Sequence, residues 1–190
     1  MNKIKTAILI SGNGSNLQAL IDAAAAADYP AQIALVISNK ADAYGLTRAK
    51  NAGIPAHIIS HKEYATRDAF DRALHAALTQ AHIDIVCLAG FMRLLTPWFV
   101  EQWSGRMLNI HPSLLPAFKG AHAVRDALAA GASETGCTVH LVTPEVDSGP
   151  VILQAHVPIL PGDTEETLAE RIHKEEHRIY PEALKLLSKR

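Results

Sequence analysis

The segment Leu108-Asn109-Ile110-His111-Pro112 sets an amide and an imidazole two residues apart at what reads as the end of a strand. Residues two apart in a strand share a face, so Asn109 and His111 project together while Leu108 and Ile110 face the other way. Pro112 keeps His111 extended and stops the strand. An amide donates a hydrogen bond and an imidazole titrates near neutral pH. Together they suit a carbonyl oxygen that is becoming an oxyanion, with His111 as proton donor. A histidine in that role gains from a carboxylate that favours its charged form. Asp147, within the turn-like Pro144-Glu145-Val146-Asp147-Ser148-Gly149-Pro150, is the candidate. The residues alone leave plainer readings open: a hydrogen-bonded strand-end histidine, and an aspartate that only makes the turn.

A second constellation is Ser11-Gly12-Asn13-Gly14-Ser15-Asn16-Leu17, between an apolar strand pattern and a helix pattern. Its glycines permit a tight turn and close approach of a ligand, and Ser15 or Asn16 is placed to cap the helix. Free N–H groups at that helix start suit a phosphate. The loop lacks the third glycine of a dinucleotide fingerprint and the lysine of a P-loop, so a phosphate monoester fits better than NAD or a nucleoside triphosphate. The alternative is a loop that merely turns the chain.

Gly90-Phe91-Met92-Arg93-Leu94-Leu95 follows another buried strand pattern, where a binding loop is expected. Its apolar members could line a flat aromatic ligand with Arg93 facing an anionic tail; core packing with a surface arginine fits the spacing equally well. Near the C-terminus Leu168, Ile172, Ile179 and Leu187 form an apolar helical stripe, and Glu176 falls close to it. An acid there wants a partner such as sugar hydroxyls, unless it reaches solvent. By the same residue-level reading His75, His82, His156, His173 and His177 are structural or surface side chains.

The elements that must carry these residues alternate. Strand patterns run over Ile4–Ser11, Gln32–Ser38, Ala56–Ser60, Ile85–Ala89 and Met107–His111. Helix patterns between them run over Asn16–Ala27, Ala43–Ala52 (stopped by Gly53), Arg67–Ala81 and Pro97–Trp103. The last third changes to strand alternation at Thr138–Thr143 and Val151–Val157, joined by a short turn. A long helix then follows, with Asp163 and Glu166 spaced as a capping box. The expected fold is α/β: a Rossmann-like, mostly parallel sheet with an antiparallel C-terminal extension and helices on both faces. No repeat or linker marks a second unit, so residues 1–190 are expected to form one domain.

Composition narrows the function classes. With 190 residues, 48% hydrophobic and 19% charged, the chain suits a globular core rather than disorder. The net charge of −1 supplies no global field for nucleic acid or an anionic membrane. Two distant cysteines, Cys87 and Cys137, offer neither a disulfide framework nor metal-ligand spacing, and Cys87 reads as core. No apolar stretch has the length of a membrane span and no signal peptide is evident, so a cytoplasmic location is expected.

Taken together these segments resemble the glycinamide ribonucleotide formyltransferase family over nearly the whole chain. The residues that carry the resemblance are Ser-Gly-Asn-Gly-Ser-Asn-Leu from Ser11, Ser-Asn-Lys-Ala-Asp-Ala from Ser38 and Leu-Ala-Gly-Phe-Met-Arg from Leu88. Asn-Ile-His-Pro-Ser-Leu-Leu-Pro from Asn109, Asp-Ser-Gly-Pro-Val-Ile-Leu-Gln-Ala from Asp147 and Glu-His-x-Ile-Tyr-Pro from Glu176 complete the series. The resemblance implies formyl transfer from 10-formyltetrahydrofolate to the amine of glycinamide ribonucleotide in purine synthesis, with no metal. It implies a catalytic trio in which His111 is the general acid, Asn109 binds the formyl oxygen and Asp147 supports the charged histidine. It assigns Gly14, Ser15 and Asn16 to the substrate phosphate and the stretch His173, Lys174, Glu175 and Glu176 to the rest of the ribonucleotide. Folate contacts fall to Arg67, Met92, Arg93, Leu94, Leu95, Asn109, Thr143, Pro144, Glu145, Val146 and Asp147. Partners are these two small molecules, without nucleic acid or membrane, in a monomer or homodimer. Ala117 to Val124 departs from the family's Gly-x-His-x-His pattern and keeps only His122. A formyltetrahydrofolate hydrolase shares the trio, and so does methionyl-tRNA formyltransferase, which adds an RNA-binding domain for which this chain has neither length nor basic charge. A phosphate-binding regulatory module would keep the Gly12–Asn16 loop without needing the trio to converge.

Overall fold

A computed structural model describes residues 3–190. Seven strands form one sheet: β1 Ile4–Ile10, β2 Ala31–Ser38, β3 Ala56–Ile58, β4 Ile85–Leu88, β5 Met107–His111, β6 Glu134–Leu141 and β7 Val151–Pro158. Among the described residues six α-helices accompany them: α1 Ser15–Ala24, α2 Tyr44–Asn51, α3 Arg67–Gln80, α4 Pro97–Gln102, α5 Ala123–Ala129 and α6 Glu165–Leu187. The strand order is β3-β2-β1-β4-β5-β6-β7. The first five strands pair in parallel, and β6 and β7 add antiparallel neighbours to β5. This is the mixed α/β architecture expected from the alternation of patterns.

Alternation along β1 divides the interior in two. Ile8 and Ile10 join a core with Leu17 and Leu20 of α1 and Leu168, Ile172 and Ile179 of α6. Ala7 and Leu9 join the opposite core with Phe70 and Leu74 of α3 and Phe99 of α4. A strand covered on both faces must be apolar throughout, which explains why β1 and β4 read as continuous runs. Cys87 and Cys137 are buried in this interior, and burial pushes both thiols up to about 12.

The order reverses between β1 and β4, so their carboxyl ends open a crevice, the place where ligands settle in open α/β sheets. The loops after β1, β4 and β5 all emerge there. Tyr180 of α6 ties that helix to the crevice: its hydroxyl donates to Leu88 O (2.8 Å) and lies 3.2 Å from Leu108 O.

Several boundaries differ from the sequence patterns. β6 starts at Glu134 rather than Thr138 and ends at Leu141, because its first half pairs with β7 out to Pro158. β3 stops at Ile58, α1 at Ala24 and α4 at Gln102, each short of the apolar pattern. α5 carries no side-chain cap, and no sequence pattern marks it. The last helix begins one residue later than expected. Thr164 is its N-cap and forms the capping box with Thr167, while Asp163 takes the Leu160 N–H and pairs with Arg171. At α1 neither Ser15 nor Asn16 caps the helix; Gly14 occupies that position at φ 76° with no side-chain hydrogen bond.

The β6–β7 hairpin closes through Gly149. A Cβ there would lie 1.8 Å from Leu141 O and 3.2 Å from the Thr143 methyl, so only hydrogen fits. Gly149→Ala is expected to destabilise the fold by about 3 kcal/mol, within the range for overpacking. For a chain of this size that lowers the melting temperature by roughly 6–12 °C. A melt superimposable on wild type would contradict this close approach.

Candidate active site

β5 delivers Asn109 and His111 to the crevice, and the turn before β7 delivers Asp147, a non-glycine residue at φ 51°. His111 is 5% exposed. Its Nδ1 lies 3.5 Å from Asp147 Oδ2, and its Nε2 is 2.8 Å from Phe118 O. A carbonyl only accepts, so Nε2 carries a proton and donates it to Phe118. The Asp147 carboxylate thus faces the nitrogen opposite the one that meets Phe118. Asp147 Oδ2 also accepts the Gly120 N–H at 2.9 Å, which fixes the turn against the loop after β5. Phe118, at φ 51°, therefore roofs the histidine, and the Nε2 proton reaches another oxygen only when that carbonyl gives way.

Asn109 is held by a residue the sequence reading missed, His140. In the antiparallel register His140 lies directly opposite Asn109. His140 Nδ1 donates to Leu141 O (2.9 Å), so its Nε2 is free to accept from Asn109 Nδ2 at 3.3 Å. Burial lowers the His140 pKa and keeps this neutral tautomer. One amide proton of Asn109 is thereby pinned and the other is left to face the crevice. His140 Nε2 also lies 3.9 Å from Asp147 Oδ1, so the two histidines flank one carboxylate.

The end of β5 is a wall shared by two cavities. One, of about 470 Å³, is lined by Ser11 to Asn16, Lys40, Gly90, Met92, Ile110, Pro112, His173 and Glu176. The other, of about 160 Å³, is lined by Phe91, Arg93, Leu94, Leu95, Asn109, His140 and Thr143 to Asp147. The first presents polar backbone at a helix start; the second is a narrow slot between loops. Leu94 and Val146 give this slot an exposed apolar rim, and exposed Met92 borders the larger cavity.

Glu176 belongs to the first cavity rather than to solvent. It is 5% exposed, and its Oε2 accepts from Asn16 Nδ2 at 3.1 Å, joining α6 to the start of α1. Burial raises its carboxyl above the usual range, opposed by the Asn16 hydrogen bond and by His173 and His111.

Gly14, Ser15, Asn16, His173 and Glu176 thus share the larger cavity. Arg93, Leu94, Leu95, Asn109, Thr143, Pro144, Glu145, Val146 and Asp147 share the slot, and Met92 faces the larger cavity instead. Three expected residues lie elsewhere. Lys174 is exposed, and Glu175 pairs with Arg178 at 2.6 Å, because along this stretch of helix only residues 169, 172, 173 and 176 line the cavity. Arg67 is exposed at the first position of α3 and lines neither cavity. Asp71, also unremarked in the sequence, is fully buried and accepts the Thr96 N–H at 2.6 Å, anchoring the end of the Gly90–Leu95 loop.

Comparison with known proteins identifies the family and the fold. Residues 4–184 match the family described as formyl transferase. The chain is 54% identical over 188 residues to the trifunctional purine biosynthetic protein adenosine-3 of Chironomus tentans, covering 98% of this chain but 14% of that protein. It is 51% identical over 174 residues to phosphoribosylglycinamide formyltransferase of Escherichia coli strain K12, covering 92% of this chain and 82% of that one. The crystal structure of phosphoribosylglycinamide formyltransferase from Brucella melitensis superposes with a TM-score of 0.94 at 51% identity, covering 98% of this chain and 96% of its own. A matching family profile over nearly the whole length and bacterial relatives of similar size place this chain in the formyl transferase family.

Proposed function

We propose that this protein transfers the formyl group of 10-formyltetrahydrofolate to the amine of glycinamide ribonucleotide, giving formylglycinamide ribonucleotide and tetrahydrofolate in purine biosynthesis. The observation that carries the reading is the position of Asn109, His111 and Asp147 at a wall between a phosphate-suited cavity and a second, narrow slot. The names of relatives at about 50% identity support the ribonucleotide as formyl acceptor, and membership of the formyl transferase family supports a formyl donor.

In this reading the ribonucleotide phosphate takes the Gly12–Asn16 loop, and Glu176 accepts from ribose hydroxyls. The folate ring system enters the slot. Attack of the amine nitrogen on the formyl carbon makes a C–N bond and an oxyanion, which the free Asn109 amide proton and the His111 Nε2 proton stabilise. Collapse breaks the bond to the folate nitrogen, and the proton lost by the amine ends on that nitrogen. The trio holds and moves protons, with Asp147 stabilising charge on His111. For His111 to serve, the Phe118 carbonyl must release Nε2 as the formyl oxygen arrives.

A formyl-carbon label tests the reading: incubated with labelled 10-formyltetrahydrofolate and glycinamide ribonucleotide, the protein should place the label on the ribonucleotide amine. Label recovered only as free formate would replace transfer by hydrolysis.

The role given to Glu176 has a stability consequence. An acid whose folded pKa is raised stabilises the fold below its unfolded pKa, and that stability is lost as pH rises through the folded value. Glu176→Gln keeps an acceptor for Asn16 but removes the charge. Its melting temperature should exceed that of wild type at pH 8, and the gap should close as pH falls below the unfolded carboxyl range. Ribonucleotide binding should weaken at the same time, by about tenfold for a charge-assisted hydrogen bond. A gap that stays constant with pH would show that the carboxyl carries no such penalty.

A further inference from the structure

The loop proposed to seat the phosphate does not hold its shape alone; α2 sets it from outside. Gly45 N–H donates to Gly12 O at 3.0 Å. Arg48 Nε donates to Asn13 O at 2.9 Å, and its Nη2 to Asn13 Oδ1 at 2.8 Å. Arg48 Nη1 reaches Gln18 Oε1 at 3.4 Å on α1, and its guanidinium lies 5.0 Å from the Tyr44 ring centroid. The two elements touch backbone to backbone. A Cβ on Gly14 would stand 2.8 Å from Gly45 Cα, and a Cβ on Gly45 would stand 2.3 Å from Ile10 Cδ1.

These contacts decide which way the peptides face. In a planar trans peptide the carbonyl and the following N–H point in opposite directions. With Gly12 O and Asn13 O both drawn toward α2, the N–H groups of Asn13 and Gly14 point away from it, toward the cavity that those residues line. Neither N–H has a backbone partner among the described residues. Successive N–H groups converging on one point make an anion nest, whereas a flipped Asn13 peptide would present a carbonyl oxygen to the phosphate. Gly14, at φ 76°, leaves such a flip sterically open, since glycine tolerates both signs of φ.

We infer that Arg48 is a positioning residue for the substrate phosphate: its guanidinium holds the Asn13 carbonyl outward and so keeps the Asn13 and Gly14 amides aimed at the anion. This rests on the proposed phosphate seat but adds a residue of α2 that lines neither cavity. Two donors from one rigid fork take both oxygens of Asn13, a geometry that lysine cannot reproduce.

The test uses Arg48→Met and Arg48→Lys in the full chain. Arg48→Met should raise KM for glycinamide ribonucleotide about tenfold, as for a lost charge-assisted hydrogen bond. The folate KM and kcat should stay within about twofold, the pattern of lost uniform binding. Arg48→Lys should recover little of the loss. In nitrogen-15 spectra, inorganic phosphate should shift the Asn13 and Gly14 amides in wild type and leave them unmoved at the same concentration in Arg48→Met. Equal phosphate responses in both proteins, an equal rise in both KM values, or wild-type amides that ignore phosphate would overturn the inference. A wild type that binds phosphate at these amides yet transfers no formyl group would sink the transferase reading while leaving Arg48 in its role.

Discussion

Replacing His111 by alanine is expected to lower kcat for formyl transfer by about 10³-fold, within the range for loss of a positioned general acid. The expectation follows from where its protons sit. Nε2 already donates to a carbonyl oxygen, Phe118 O, and Nδ1 faces the Asp147 carboxylate, so a proton is in place on Nε2 and the ring is held on its other side. His140, the nearest imidazole of the cluster, does not substitute. Its Nδ1 proton goes to Leu141 O and its Nε2 accepts from Asn109. His111 lines neither cavity, so KM for both substrates should change little while kcat collapses. Steady-state kinetics with each substrate varied checks this. Unchanged kcat, or a loss confined to KM, would remove His111 from the chemistry.

Asn109 gives the second large effect. Removal of one oxyanion donor costs roughly 10²–10³-fold in kcat, and Asn109→Ala should fall in that range. Asn109→Asp separates donation from packing. Aspartate keeps the volume but offers only acceptors, beside Asp147 and a neutral His140. It should therefore be slower than the alanine variant, since a carboxylate repels the developing oxyanion. If packing alone mattered, aspartate would be the better replacement. Asn109 lines the slot, so some rise in the folate KM accompanies both variants. Measured kcat for the pair, ranked against wild type, settles which property counts.

What the sequence could reveal follows from how local each feature is. Asn109 and His111 share one strand and one face, and Gly12 to Asn16 is a continuous loop, so spacing alone placed them at strand ends. The strand alternation at Thr138–Thr143 and Val151–Val157 announces the antiparallel extension, although β6 starts four residues earlier, at Glu134, because its start depends on pairing with β7. His140 escaped notice because its role exists only in the register that sets it opposite Asn109. Phe118 escaped because a main-chain carbonyl has no residue signature at all. Asp71 and Arg48 act through backbone atoms of other segments, Thr96 N–H and Asn13 O, and nothing in their own neighbourhoods points across the fold. The helix cap was misplaced by one residue because Asp163-x-x-Glu166 and Thr164-x-x-Thr167 overlap. The tie is broken by Arg171 and the Leu160 N–H, both of which engage Asp163. Glu176 could be read either way until Asn16 was seen to meet it across 160 residues of chain.

Among the described residues no helix is long and apolar enough to cross a membrane.

The most direct test of the account is the initial rate of tetrahydrofolate release from 10-formyltetrahydrofolate with and without glycinamide ribonucleotide. Two cavities on either side of the end of β5, which carries Asn109 and His111, predict release that requires the ribonucleotide and matches formylated product mole for mole. Equal release in its absence would mean that water, not the ribonucleotide amine, takes the formyl group, and would contradict the central claim.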